Sequence, residues 1–313
     1  MKTTLILIFL SFTSFAQTES AQTPQKSWGG FWWSMRNAEL ALGWKGENQR
    51  EKFSKQQVEL FSSCLLSSTP KCRNVMDQFL KNNAITLSPL MKFDLFMKAQ
   101  VEKDFENDAP EYLYSKSALK ELEIHFINND PNHRHFNSKA FAGKCIGWAL
   151  SNFDFNEPTK IKNINGIDFT PADIKGILAG IYNGAQFFIP ADLVIGTEYR
   201  SQGKSSEAYE DVTPLQFVKA LRKTIGQGTL LEADLDPGFG VWNYPIHKYE
   251  LNYTQVSSNL VEAEIEIEFA NDEVQIDSVF TNQSQRLDMK TRKYTVNFSV
   301  LPDWNGDIAT AIS

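Results

Sequence analysis

The chain has 313 residues, 42% of them hydrophobic, and carries a formal net charge of −7 at pH 7. That acidic balance excludes a surface built to hold nucleic acid by excess basic charge. Seven tryptophans and 23 phenylalanines exclude a disordered chain, and the length allows one large domain or two modest ones.

The N-terminus, MKTTLILIFLSFTSFA, has one basic residue, an apolar run from Leu5 to Leu10 and small residues ending at Ala16. This is the layout of a secretory signal peptide over residues 1–16, cleaved after Ala16. The run is too short to span a bilayer as a helix, and the mature chain is expected to have no membrane span. Residues 17–27, QTESAQTPQKS, read as a polar flexible leader. From residue 28 the chain turns aromatic and then helical, and residues 28–135 read as a helical N-terminal part. Within it, residues 54–82 have helical character around a cysteine-bearing turn. Residues 87–105 start with Ser88 as N-cap and Pro89 as first helical residue, and residues 114–126 continue the pattern.

Residues 136–313 form the second part. A helix is expected from about Cys145 to Asn152, and Asn165-Gly166 is a hairpin signal. Thr170, Pro171 and Asp173 give the next helix an N-cap, a first-turn proline and a capping box with Asp in the usual Glu position. From residue 214 onward FVKAL, TLLEADL, VWNYPIHKYELNY, VEAEIEIEFA and KYTVNFSVL read as strands. In VEAEIEIEF, apolar residues alternate with Glu262, Glu264, Glu266 and Glu268, as in an antiparallel strand wet on one face. The fold class expected is α+β, with helices first and an antiparallel sheet at the C-terminal end.

An exported protein with three cysteines leaves one over. Cys64 and Cys72 flank LLSSTPK, whose turn signal lets a short loop bring two sulfurs together. A Cys64–Cys72 disulfide with Cys145 left as a thiol is the expectation; three reduced, buried cysteines are the alternative. Cys145 opens its helix, where unpaired N–H groups and the dipole favour a thiolate. Gly143 and Gly147 keep bulk away, Lys144 adds a positive charge, and Trp148 is a candidate cleft wall. A thiol on a helix, followed by an antiparallel sheet carrying base and orienter, is the logic of papain-like enzymes.

GKCIGWAL, NGIDFTPADIKGIL, LEADLDPGFGVWNYPIHKYE and KYTVNFSVLPDWNGDI, taken in order, resemble the transglutaminase elicitor family. SWGGFWWSMRNAELALGW and LSPLMKFDL extend the resemblance toward the N-terminus. It implies a papain-like, transglutaminase-like fold and calcium-independent acyl transfer from glutamine side chains to amines, with no cofactor. Carried over by position, the nucleophile falls on Cys145 and the orienting acid on Asp234, ahead of the Trp242-containing VWNYP motif. The family's base histidine falls on Val218, which can neither take nor return a proton. The position after the nucleophile, usually histidine, is Ile146.

His247 is the candidate substitute base. His125, His133 and His135 lack the cysteine or paired carboxylates of a metal site, and none is expected. Asp-Leu-Asp-Pro-Gly at 234–238 lacks the remaining ligands of a calcium loop. Three readings follow. The first is a secreted or periplasmic thiol acyltransferase acting on protein or peptide glutamine, weakened by Val218. The second is an inactive relative that binds a peptide or envelope component. The third is a thiol amidase or peptidase, with water replacing the amine.

Overall fold

The structure, a computed structural model, describes residues 16–44, 52–83, 86–105, 110–132, 143–185, 193–196, 212–235, 242–257, 259–280 and 288–299. The N-terminal half is helical, as its periodicity predicts: α1 (Glu39–Leu42), α2 (Lys55–Leu65), α3 (Pro70–Asn83), α4 (Pro89–Phe105) and α5 (Ser117–Asn129). Local chemistry starts several of them. Ser54 and Gln57 form a reciprocal capping box at α2, and the Ser88 hydroxyl accepts the Met91 N–H at α4. Helix α5 has no cap of its own, and Asp94 of α4 supplies one by accepting the N–H groups of Ser117 and Ala118 at 2.8 and 3.0 Å. The disulfide joins Cys64 at the end of α2 to Cys72 in α3, with Cα atoms 4.7 Å apart.

Helix α6 (Cys145–Asp154) is followed by the hairpin β2 (Lys162–Ile164) and β3 (Ile167–Phe169), then by α7 (Pro171–Ala185). Asn165 and Gly166 both take positive φ at the hairpin tip, as a two-residue turn requires. Thr170 and Asp173 cap α7 reciprocally. Asp173 also pairs with Lys92 of α4, both side chains wholly buried, so the cap doubles as a bolt between helices.

The main sheet runs β4 (Val194–Ile195), β5 (Leu231–Asp234), β6 (Asn243–Ser257), β7 (Leu260–Ala270) and β8 (Met289–Ser299). All its neighbours are antiparallel except β4 with β5. Strand β6 outruns β5, which pairs only with Asn243 to Ile246. The remaining edge of β6 is filled by β1 (Ala16–Gln22), from Ala16 opposite Thr254 to Gln22 opposite Lys248.

Two expectations are corrected here. Residues 17–27 are not a flexible leader. Residues 17–22 form β1, and the strap after it is buried at Thr23 and Ser27. The polar composition misleads because an edge strand exposes alternate side chains while its backbone does the pairing. FVKAL is not a strand but lies within α8 (Pro214–Lys223). Thr213 and Gln216 build a capping box around Pro214 at the first turn, a helix signal that outweighs a five-residue apolar run.

Two hydrophobic cores result. One gathers the N-terminal helices around Trp28, Trp33, Trp44 and Phe61, and it also takes Trp148 of α6 and Ala172 and Ala179 of α7. The other lies on one sheet face, where Leu231, Ala233, Ile246, Leu251 and Ile265 meet Val218 and Leu221 of α8. The first core therefore runs across residue 135, and α6 and α7 pack with the N-terminal helices.

Candidate active site around Cys145

Strand β5 divides its side chains. Leu231 and Ala233 enter the sheet core with Val218, so alternation turns Glu232 and Asp234 to the opposite face, toward α6. Asn243 stands directly across from Asp234, and Pro245 across from Glu232. Asn243 reaches α6: its Nδ2 lies 3.8 Å from the Cys145 sulfur. The corner where α6 meets β5 and the start of β6 is thus lined by a thiol, an amide and two carboxyl groups.

Helix α6 is anchored at its first turn by the strap that follows β1. The Lys144 N–H donates to the Trp32 carbonyl at 2.6 Å. A Cβ on Gly143 would stand 2.4 Å from that same carbonyl oxygen, and one on Gly147 would stand 1.9 Å from the Ala179 carbonyl oxygen of α7. These glycines therefore admit neighbouring backbone rather than clear space around the sulfur. Trp32 and Trp242 meet edge-to-face, ring centroids 5.6 Å apart, and both are half-buried.

The Cys145 residue is 8% exposed. Burial pushes its thiol up from the ordinary value, and the negative charge of Glu232 adds to that. The backbone N–H and Nδ2 of Asn243 and the N–H of Ile146 act the other way, each pointing a donor at the sulfur. Burial wins, and the resting group is a thiol rather than a thiolate.

The remaining predicted residues fall in several places. Asp234 is at the corner, and its Oδ1 accepts the Trp242 N–H at 3.0 Å, fixing the start of β6 where Asn243 follows. Lys144 turns away from the sulfur to pair with Glu121 of α5 at 3.2 Å, each side chain 8% exposed. Trp148 is wholly buried in the helical core, with Nε1 donating to the Trp28 carbonyl, so it lines no cleft. Val218 is fully buried on the other sheet face. It leaves no gap beside the thiol.

His247 is four residues along β6 from Asn243, roughly 13 Å of strand. It is the extra residue of a β-bulge between Ile246 and Lys248. Its Nδ1 lies 2.8 Å from Ser27 Oγ and its Nε2 2.9 Å from Glu268 Oε1. That clamp ties the strap to the sheet and keeps the imidazole away from Cys145. His133 and His135 lie outside the described residues. Among the described residues, no cluster of His, Cys, Asp or Glu could hold a metal ion, and no helix is long and apolar enough to cross a membrane.

Sequence reading passed over Glu232, Asn243 and Trp32. The signal for the first was present: a residue two before Asp234 on a strand shares its face. Asn243 sits inside the quoted Trp-Asn-Tyr-Pro motif, but only strand register shows that it reaches the sulfur.

Residues 129–274 match the model of the transglutaminase elicitor family. No curated protein matches the chain. A solved structure, the GP42 transglutaminase from Phytophthora sojae, aligns over 90% of this chain and 76% of its own, with 13% identity and a TM-score of 0.46.

Proposed function

We propose, from the premise that residues 129–274 belong to the transglutaminase elicitor family, that the Cys145 corner is a thiol acyl-transfer centre acting on glutamine carboxamides. The observation that carries this reading is the Asn243 amide, whose Nδ2 lies 3.8 Å from the sulfur at the first turn of α6, with the N–H groups of Asn243 and Ile146 also favouring the thiolate. Donors so placed favour a thiolate. Beside it they favour the oxyanion formed when sulfur attacks a carbonyl carbon.

In the first half-reaction Cys145 Sγ bonds to the carboxamide carbon, the C–N bond breaks, and ammonia leaves with the thiol proton, giving a thioester. In the second, a primary amine attacks the thioester carbon and the thiol is restored. Asp234 serves as a positioning residue: it holds the Trp242 N–H and so sets the register of Asn243 against the sulfur. Trp32 and Trp242 offer aromatic flanks for a peptide. Turnover is slow, because burial keeps the thiol protonated and His247 is engaged elsewhere. The signal-like residues 1–16 assign the reaction to the periplasm or the cell exterior, and cleavage after Ala16 leaves Gln17–Gln22 in place as β1.

The same burial favours a second reading, an inactive relative that binds a peptide or an envelope component. The purified chain, offered a glutamine peptide and a fluorescent primary amine, separates the two. Amine incorporation that is lost in Cys145→Ser supports acyl transfer, and glutamine converted to glutamate would make water the acceptor. Neither product at any pH, with peptide binding retained, refutes catalysis.

A further inference from the structure

We propose that Glu232 is the proton-carrying partner of Cys145, a buried carboxyl group standing where an imidazole would otherwise serve; this rests on the acyl-transfer reading of the same corner. Glu232 is wholly buried, and neither carboxyl oxygen has a hydrogen-bond partner among the described residues. An acid desolvated in that way is costly to keep unless it is used. The residue across from it is Pro245, whose side chain offers no hydrogen-bonding group. Its place on β5 turns it to the face that carries Asp234 and, across the ladder, Asn243 with its contact to the sulfur.

The groups around it fit the role. On its own strand the other titratable side chain of that face is Asp234, engaged with the Trp242 N–H. From α6 the facing group is the Cys145 thiol, while the preceding Lys144 is drawn off to Glu121. Among the described residues, strand β4 brings only Val194 and Ile195. On β6 the same face holds Asn243 and Pro245, with Tyr244 on the reverse. Burial pushes the Glu232 carboxyl well above its ordinary value, which favours its protonated form, and its charge, when present, raises the thiol.

A carboxylic acid has one oxygen that donates and one that accepts, so it can move two protons in one step. Neither Glu232 oxygen is hydrogen-bonded to the sulfur in the resting chain, so the transfer waits on the bound carboxamide: as Sγ bonds to its carbon, the S–H proton passes to the carbonyl oxygen of Glu232. The Glu232 O–H proton passes to the departing nitrogen, the C–N bond breaks, and ammonia leaves. Glu232 ends neutral, as it began. Aminolysis reverses the relay: an amine proton goes to Glu232 and the Glu232 proton goes to sulfur.

Glu232→Gln, an isosteric change, tests this with two readouts in the full chain. Amine incorporation is expected to fall about 10²- to 10⁴-fold, the usual worth of general acid–base help. Alkylation of Cys145 by iodoacetamide on the alkaline side is expected to quicken, because the charge that opposes the thiolate is gone. General damage to the site would slow both. Incorporation within threefold of the parent chain, or an unchanged alkylation profile, overturns the proposal. A parent chain that never incorporates amine, yet whose alkylation profile moves in Glu232→Gln, sinks acyl transfer while supporting the coupled pair. Should the variant fail to fold, the parent chain carries the test. An infrared carboxylic-acid C=O band present at neutral pH that shifts when Cys145 is alkylated supports the pair, and no such shift overturns it.

Discussion

Replacing Asn243 by alanine should make the Cys145 thiol harder to ionise, by an amount that follows from one contact. Asn243 Nδ2 lies 3.8 Å from the sulfur. Hydrogen bonds to charged groups contribute about 1.5–3 kcal/mol, and a contact this long belongs at the lower end. About 1.4 kcal/mol corresponds to a tenfold smaller thiolate fraction at neutral pH. Part of that is returned, because a more basic thiolate is a better nucleophile. With a Brønsted coefficient of about 0.4–0.5, the recovery is roughly threefold. The net expectation in Asn243→Ala is alkylation about threefold slower at neutral pH, and about threefold faster once both thiols are fully ionised. The assay is clean, because Cys64 and Cys72 are bonded to each other and Cys145 supplies the thiol. Second-order rates with iodoacetamide, read by intact mass across pH, should cross between the two proteins. Curves that coincide, or a variant faster at neutral pH, would refute the claim that the Asn243 amide holds the sulfur.

Two further outcomes test the surrounding structure. Burial holds the Glu232 carboxyl well above its ordinary 4.5. Its contribution to stability is therefore fully present below that pH and is lost as pH rises through the folded value. The urea midpoint of the parent chain should fall relative to Glu232→Gln as pH climbs from about 4.5, and a gap that stays constant or moves the other way contradicts this assignment. Gly147→Ala sets a methyl 1.9 Å from the Ala179 carbonyl oxygen and 2.5 Å from the Asn183 nitrogen, whereas Gly184→Ala meets nothing within 4 Å. The first should lose about 2 kcal/mol or more by urea denaturation and the second little or nothing; equal effects would mean that α6 and α7 do not approach as closely as described.

Local order along the chain was legible in the sequence. Ser88-Pro89, Thr170-Pro171 with Asp173, and Asn165-Gly166 each name their own structure, because caps and tight turns are satisfied by atoms a few residues apart. The same holds for the Cys64–Cys72 bridge across a short turn, and for Cys145 at a helix start. Where equally local signals competed, the weaker one misled: FVKAL has strand-like composition, yet the capping box just before it makes a helix.

What the sequence could not decide is which face each residue turns to and which distant segment fills each edge. Val218 and Asp234 read alike as site candidates, and the sheet puts them on opposite sides. Residues 17–22 look like a soluble tail until β6 proves longer than β5 and leaves an edge that β1 pairs with. A single bulge residue diverts His247 to Ser27 and Glu268. Caps and turns are settled within one helical turn or hairpin. Register, bulges and edge pairing are settled only when backbone groups far apart in the chain must all find partners at once, and that condition sets Asn243 beside the sulfur and Glu232 on the same sheet face.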